Sequence, residues 1–148
     1  MLRRRVLRSA VLLVTAAVIT ACATMEPPPS LYKRLGGREG IAQVVDTFVA
    51  NATADPRIAR RFTSLPAPAV FKLKSNLADQ ICDATGGPCA YVGGDMKTVH
   101  KGMNITEAEW NATVEALSKA LDTHKVGAKE KGELLAALGP MKNDIVGQ

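Results

Sequence analysis

Aromatic residues and histidines are both scarce in this sequence. Its 148 residues include one tryptophan, two tyrosines, three phenylalanines and two histidines, so aromatic side chains make up 4% of the chain. A globular core therefore has few large side chains to fill it, and no CxxC motif or pair of neighbouring histidines supports a zinc site. No segment alternates apolar and polar residues as half-buried β-strands do, which predicts an all-α domain.

An apolar run near the N-terminus is too short to span a membrane. It extends from Ala10 to Ala21, 12 residues, whereas a spanning helix needs about 20. A run of this length after several arginines is typical of a signal peptide. It ends in "ITAC", Ile19 to Cys22, which resembles the lipobox of bacterial lipoproteins. We therefore predict a lipoprotein signal peptide over residues 1–21 and lipidation of Cys22; an ordinary signal peptide and a one-pass anchor are the alternatives.

The lipid anchor predicts an exported protein that is held at a membrane and faces the periplasm. Residues 22–30 would then form a proline-bearing tether, and the folded domain would extend over residues 31–147. Ala23 follows the lipidated cysteine in place of the aspartate that usually retains lipoproteins in the inner membrane, which favours the outer membrane if the source is Gram-negative.

The charge of the mature chain gives no support to nucleic acid as a partner. The full sequence has a formal net charge of +5. The predicted signal peptide, residues 1–21, contains four arginines and no acidic residue. Its removal would leave a mature chain with 15 basic and 14 acidic residues and a net charge of +1. No basic patch with interleaved aromatic side chains remains, and such a patch is what nucleic-acid binding requires.

Two cysteines follow Cys22, and they close the short loop "CDATGGPC" from Cys82 to Cys89. In an oxidising compartment such a pair is expected to form a disulfide, which would stabilise the fold by about 2–3 kcal/mol. Two free buried thiols are the alternative. Because the pair precedes His100 along the chain, its redox state is also a candidate regulator of that residue.

Apolar residues recur at helical spacing through most of the domain. A clear amphipathic helix is predicted over residues 37–52, "LPAP" around Pro66 is interpreted as a break, and Thr106 with Glu109 has capping-box spacing. Pro140 should interrupt the last helix. The predicted buried stripes are Ile41, Val44, Val45, Phe48, Val49 and Ala52; Val70, Leu73, Leu77 and Ile81; Trp110, Val114, Leu117 and Leu121; and Leu134, Leu135 and Leu138.

The stretch "GGDMKTVHKGM" places a histidine within an apolar stripe. If the stretch is helical, one face carries residues at i, i+3, i+4 and i+7, namely Met96, Val99, His100 and Met103. A satisfied core histidine and a metal ligand both fit this spacing. A flat apolar cofactor would fill a core that is poor in aromatic residues, and its iron would suit a neutral imidazole.

Four ordered blocks between Ser30 and Val146 resemble the group I truncated haemoglobins. They read "SLYKRLGGREGI", "DTFVANATADPRIARRF", "ATGGPCAYVGGDMKTVHKGMNIT" and "LLAALGPMKNDIV". The third block is the most diagnostic, because it holds the glycine pair Gly86–Gly87 and a histidine at the place of the family's proximal ligand. The resemblance covers nearly the whole mature chain.

This resemblance implies the truncated globin fold, a two-over-two helical sandwich around haem b. His100 would be the proximal ligand of the haem iron, and Phe62 would pack on the haem face. Leu73 and Leu77 would occupy the distal side, and Tyr91 would reach the haem edge. The other residues expected to line the cofactor are Phe48, Met96, Val99, Ile105, Trp110 and Val114.

Two positions depart from the family pattern on the distal side. Val49 stands where the family usually has a tyrosine, and Leu77 stands where it commonly has a hydrogen-bonding side chain. Neither can donate a hydrogen bond to the partial negative charge that oxygen acquires on binding, which should weaken oxygen retention by about 1–3 kcal/mol. The nearby Asn76 and Gln80 are interpreted as solvated helix residues, and His124 as a surface residue.

The expected function is reversible binding of a diatomic gas, oxygen or else NO or CO, by a lipid-anchored haem protein that is not an enzyme. An unidentified reductant would keep the iron reduced. One alternative is a haem enzyme such as an NO dioxygenase or a weak peroxidase; the departures at Val49 and Leu77 disfavour the dioxygenase, which needs retained oxygen. The other is a haem-free helical interaction lipoprotein, which would tolerate changes at His100.

Overall fold

The computed structural model describes residues 27–148. Residues 1–26, with the predicted signal peptide and Cys22, lie outside the described residues. The described chain forms α1 (Leu31–Arg34), α2 (Gly37–Ala54), α3 (Arg60–Thr63), α4 (Ala67–Ala84), α5 (Met96–His100), α6 (Glu107–Thr123), α7 (Ala128–Leu138) and a 3₁₀ helix, Gly139–Asp144. None of these helices has the length and apolarity that crossing a bilayer requires.

The four longest helices pack as two layers. Helix α2 packs against α4, and α6 packs against α7, while contacts of α2 with α6 and of α4 with α7 join the two pairs. This two-over-two arrangement confirms the all-α fold that the sequence predicts. Between residues 27 and 148 the β-type pairing is limited to one isolated parallel bridge, which joins Ile105 to Val146.

Helix α2 is the central helix, and its buried face is the one that the sequence predicts. It begins after Gly36, whose φ of 87° is a left-handed conformation that glycine adopts without steric cost. Every member of the predicted stripe from Ile41 to Ala52 is at most 6% exposed. Burial of a valine, isoleucine or phenylalanine side chain contributes about 1.5–3 kcal/mol, so this face is a main source of stability.

Helix α6 meets α2 through small side chains, which the apolar pattern did not predict. Ala112, Ala116 and Ala120 recur every four residues and are at most 3% exposed. Such small residues allow two helices to approach closely. Of the predicted stripe, Leu121 alone is fully buried, and Trp110, Val114 and Leu117 lie half-buried on the adjacent face. The predicted stripe is therefore confirmed at Leu121 and at Leu117, which packs against the core, while the fully buried side of α6 lies part of a turn away.

Helix α4 begins inside the segment that the sequence marked as a break. Pro66 is its N-cap, and Pro68 lies in its first turn, where a proline sacrifices no intrahelical hydrogen bond. Ile81 of the predicted stripe is 5% exposed, whereas Val70, Leu73 and Leu77 are half-buried. One side of α4 thus belongs to the core, and an adjacent apolar side is only partly covered.

A disulfide joins the end of α4 to the loop that follows it. Cys82 is 1% exposed, and its Cα lies 5.8 Å from that of Cys89. The turn between them passes so close to the core that a Cβ at Gly87 would lie 2.5 Å from Cys82 Sγ and 2.6 Å from the Tyr32 ring. A glycine is therefore required at this position.

Reduction of the disulfide is expected to lower the free energy of unfolding by about 2–3 kcal/mol, because the unfolded chain regains the entropy of the open loop. Urea unfolding of the purified protein with and without reductant measures the change. Cys89→Ser is the control, since it should show the lower stability under both conditions. Equal stability of the oxidised and reduced wild-type protein would contradict this expectation.

Candidate functional site

His100 is the last residue of the short helix α5, and one of its ring nitrogens is hydrogen-bonded to the backbone of that helix. The helix begins at Asp95, whose carboxylate accepts a hydrogen bond of 2.9 Å from the amide of Thr98. The half-buried His100 ring has Nδ1 2.8 Å from the carbonyl oxygen of Met96. A carbonyl can only accept, so Nδ1 carries a proton, and in the neutral imidazole Nε2 then has the lone pair that a metal would bind.

The predicted four-residue face around His100 is shorter in the structure. Lys101 leaves the helical conformation, so Met103 lies beyond the helix, and its amide donates to the His100 carbonyl at 3.0 Å. Val99 is 47% exposed, while Met96 and His100 are half-buried. The stripe of i, i+3, i+4 and i+7 therefore does not hold as one helical face.

Most of the other residues expected to line a cofactor have partly covered apolar side chains. Phe48 is buried in α2, and its ring meets that of Phe62 edge-on at a centroid distance of 6.3 Å. Ile105 is 9% exposed. The half-buried members come from four different helices, α3 to α6: Phe62, Leu73, Leu77, Met96, Trp110 and Val114.

Tyr91 lies in the loop between α4 and α5, and both its backbone and its side chain are held there. Its amide donates to Asp83 Oδ2 at 3.2 Å, and its hydroxyl donates to the Gly94 carbonyl at 2.9 Å. Burial, with a smaller effect of the Asp95 carboxylate, raises the pKa of Tyr91. The hydroxyl therefore remains a protonated donor.

Two of the polar residues interpreted as solvated or surface residues instead join helices. The half-buried Gln80 has Nε2 3.6 Å from Met96 Sδ and 3.3 Å from Met141 Sδ, which links α4 to α5 and to the 3₁₀ helix. His124 Nε2 lies 2.8 Å from Thr47 Oγ1, so the end of α6 contacts α2. No local pattern could reveal these contacts, because the partners are distant in sequence.

The two positions expected on the distal side, Val49 and Leu77, carry side chains without hydrogen-bonding groups. Val49 is 5% exposed in α2, and Leu77 is half-buried in α4. Asn76 is half-buried in α4, and Lys74 pairs with Asp46 at 3.0 Å. Neither Val49 nor Leu77 has a polar side-chain atom with which to contact a ligand.

Glu109, in the first turn of α6, is a buried charge that the sequence identified only as part of a capping box. That capping box is present, and the residue is 5% exposed. Its carboxylate also accepts hydrogen bonds from Arg60 at 2.8 Å and from Arg61 at 2.9 Å. The bonds from Arg61, from the Thr106 amide and from Arg60 hold the pKa of Glu109 well below the usual carboxyl range.

Glu109→Gln is expected to lower the free energy of unfolding at pH 7 by about 2–3 kcal/mol, since the arginines lose their charged partner. Because folding lowers the pKa of Glu109, its contribution is present above the ordinary value of 4.5 and is lost as the pH falls toward the folded-state pKa. Urea unfolding between pH 7 and pH 3 should therefore show the difference between the two proteins narrow below about pH 4.5.

Glu107→Gln is the matched control, because Glu107 is an exposed acid in the same turn and pairs with Lys142 at 2.6 Å. An exposed pair contributes less than about 1 kcal/mol. Equal losses in the two variants would contradict the special role of Glu109.

The residues around His100 fit a haem. A haem iron needs a single imidazole from this side, because the porphyrin supplies its other four nitrogen ligands. His100 has the required free Nε2, and residues 27–148 contain no cluster of three or more His, Cys, Asp or Glu side chains that could hold a different metal. The half-buried apolar residues of α3 to α6 are the kind of lining that a flat apolar ring requires.

Comparison with known protein families identifies the family of this chain. A sequence model of the family described as bacterial-like globin matches residues 30–146, which include every α-helix of the structure. The chain belongs to the bacterial-like globin family. The fold of this globin is the two-over-two fold of truncated haemoglobins, and haem is its cofactor.

Individual relatives match along most of their length. The group 1 truncated hemoglobin GlbN of Mycolicibacterium paratuberculosis is 32% identical over 118 residues, 80% of this chain and 85% of the relative. A crystal structure of truncated hemoglobin from Tetrahymena pyriformis in the Fe(III) form has a TM-score of 0.75 at 25% identity, with 81% of this globin and 100% of that chain covered. The 2/2 hemoglobin of a Synechococcus species, in the cyanomet state with covalently attached heme, has a TM-score of 0.72 at 26% identity, with 80% and 98% covered.

Proposed function

We propose that this globin holds haem b through His100 as the proximal iron ligand and reversibly binds a diatomic gas on the opposite face. The observation that carries the proposal is the 2.8 Å contact between His100 Nδ1 and the Met96 carbonyl. Such a bond to the far ring nitrogen orients an imidazole and makes Nε2 a better ligand. The related structures in Fe(III) and cyanomet forms support iron in a site of this fold.

The apolar distal side favours ligands that need no hydrogen bond. Val49 and Leu77 offer none, so oxygen should leave quickly, while CO, which gains little negative charge on binding, should be held nearly as well as in a polar pocket. Reversible gas binding is therefore favoured over NO dioxygenase activity, because a dioxygenase must retain oxygen. We further propose that a separate, unidentified reductant keeps the iron reduced.

The proposed membrane location rests only on the predicted signal peptide and Cys22. The run "AVLLVTAAVITAC", Ala10 to Cys22, supports export and lipidation, and seven residues lie between Cys22 and the helix cap Ser30. A tether of that length would hold the globin domain close to the membrane surface on the periplasmic side. The gas-binding proposal does not depend on this location.

His100→Ala is expected to abolish normal haem ligation, because the iron loses its protein ligand. Absorption spectra of the ferric, ferrous and CO-bound protein, purified with haem supplied, measure this effect. Wild type should show a Soret band that shifts with CO, and the variant should lose haem or show a changed band that added imidazole restores.

His124→Ala is the matched control, since it removes the only other histidine of the sequence and should leave the spectra unchanged. Identical haem spectra in the wild-type and His100→Ala proteins would refute His100 as the ligand. A haem-free wild-type protein would favour the interaction lipoprotein.

Leu77→Gln is expected to slow oxygen dissociation by about tenfold, equivalent to about 1.4 kcal/mol, because it adds one hydrogen-bond donor on the distal side. Flash photolysis and stopped-flow mixing measure the oxygen and CO rates, and the CO rates should change much less. Leu135→Gln, at a half-buried leucine of α7 outside the candidate site, is the control. An unchanged oxygen rate would show that Leu77 does not face the gas.

A further inference from the structure

Arg61 connects two chain segments that are separate in sequence, the start of α6 and the turn that follows α5. Its Nε and Nη2 donate to the two carboxylate oxygens of Glu109 at 2.9 and 3.1 Å. Its Nη1 donates to the carbonyl oxygen of Met103 at 2.8 Å. Arg60 contacts the carboxylate alone and is mostly exposed. Arg61 is therefore the side chain through which the buried carboxylate reaches the segment that follows α5.

The Met103 carbonyl belongs to the chain segment that leaves His100. The Met103 amide donates to the His100 carbonyl at 3.0 Å, so the backbone positions of these two residues are coupled. Gly102 and Asn104 have positive φ angles of 80° and 48°, which makes the segment a tight, irregular turn. Within residues 27–148, the Arg61 guanidinium is the side-chain group from outside this turn that bonds to it, and the Asn104 amide also donates to the Gln148 carbonyl.

The same ion cluster lies next to the other large side chains of the site. Arg61 directly precedes Phe62, and Glu109 directly precedes Trp110. One bidentate ion pair and one bond to a carbonyl thus tie together the segments that carry His100, Phe62 and Trp110. The planar fork of an arginine fixes orientation as well as distance, which a point charge cannot do.

The extra bonds exceed what the start of α6 requires. The capping box between Thr106 and Glu109 already satisfies the first turn of the helix, with the Thr106 amide donating to Glu109 Oε2 at 2.9 Å and the Glu109 amide donating to Thr106 Oγ1 at 3.2 Å. A cap alone explains neither the arginine pair nor the bond to Met103. A role in holding the His100 segment explains both.

We propose that Arg61 is a positioning residue for the proximal histidine: by holding the turn after His100 against α3 and α6, it sets the orientation of the imidazole and the tightness of haem retention. This proposal rests on His100 as the iron ligand. It assigns Arg61 no contact with the haem, and its effect passes entirely through the backbone that carries the histidine.

The test compares Arg61→Gln and Arg61→Lys with Arg57→Gln in the haem-loaded protein. Arg57 is a matched control, because it also bridges two acids, Asp55 at 2.7 Å and Glu115 at 2.6 Å, but contacts no part of the turn after His100. The readouts are the rate of haem transfer to excess apomyoglobin, the iron–histidine stretching band of the ferrous protein in resonance Raman spectra, and the urea unfolding of the apoprotein.

Arg61→Gln should release haem at least about tenfold faster than wild type, as outer partners of metal ligands typically cause, and should shift the iron–histidine band. Arg61→Lys keeps the charge but cannot bond to the carboxylate and the carbonyl in one fork, so it should shift the band in the same direction by less. It also keeps the test decisive if Arg61→Gln does not fold. Arg57→Gln should leave the haem transfer rate and the band position unchanged.

An unshifted band in both Arg61 variants would overturn the proposal, even if the apoprotein were less stable, since Arg61 would then support only the fold. Haem transfer at the wild-type rate in both variants would overturn it as well. An error in the assignment of His100 as the iron ligand is detected separately. It would appear as an unchanged haem spectrum of the His100→Ala variant, in which Arg61 is intact.

Discussion

The packing of α2 against both α4 and α6 is the constraint on which the rest of the structure depends. Its apolar stripe is too wide to be covered by one neighbour, and it is buried along its whole length. On the α6 side the buried residues include Ala112, Ala116 and Ala120, whose small side chains allow the two helices to approach closely. The larger side chains Trp110 and Val114 are then left on the adjacent, half-buried face. The apolar lining of the candidate site is thus a consequence of how the central helix is covered.

Polar groups then fix the parts of the site that apolar packing leaves free. His100 is oriented by the Met96 carbonyl, and the turn that follows it is held by Arg61. In the described part of the chain every buried side-chain nitrogen and oxygen atom has a hydrogen-bond partner. Directional bonds in a region of low dielectric permit few alternative arrangements. The geometry of the proposed iron ligand is therefore set by neighbours on three different helices, although α5 itself has only five residues.

By contrast, the two residues expected on the distal side, Val49 and Leu77, have no polar side-chain atoms. Val49 is buried by the same packing that covers α2, so its position cannot easily accept a polar side chain without an unsatisfied group in the core. Leu77 lies one helical turn before Ile81, which is buried in the core. Apolar side chains at these two expected distal positions are therefore consistent with the packing of α2 and α4 in this globin.

The sequence by itself determined the helical class, the buried face of α2, the capping box of Thr106 and Glu109, and the end of α7 before Pro140, because each depends on neighbours within about four residues. It also singled out His100, through the family motif around it. Only the tertiary structure decided which side of α6 is buried, that Gln80 lies between Met96 and Met141, that His124 meets Thr47, and that Arg61 joins Glu109 to Met103. These contacts join residues 16 to 77 positions apart, and no local period or spacing specifies such pairs until the helices have packed.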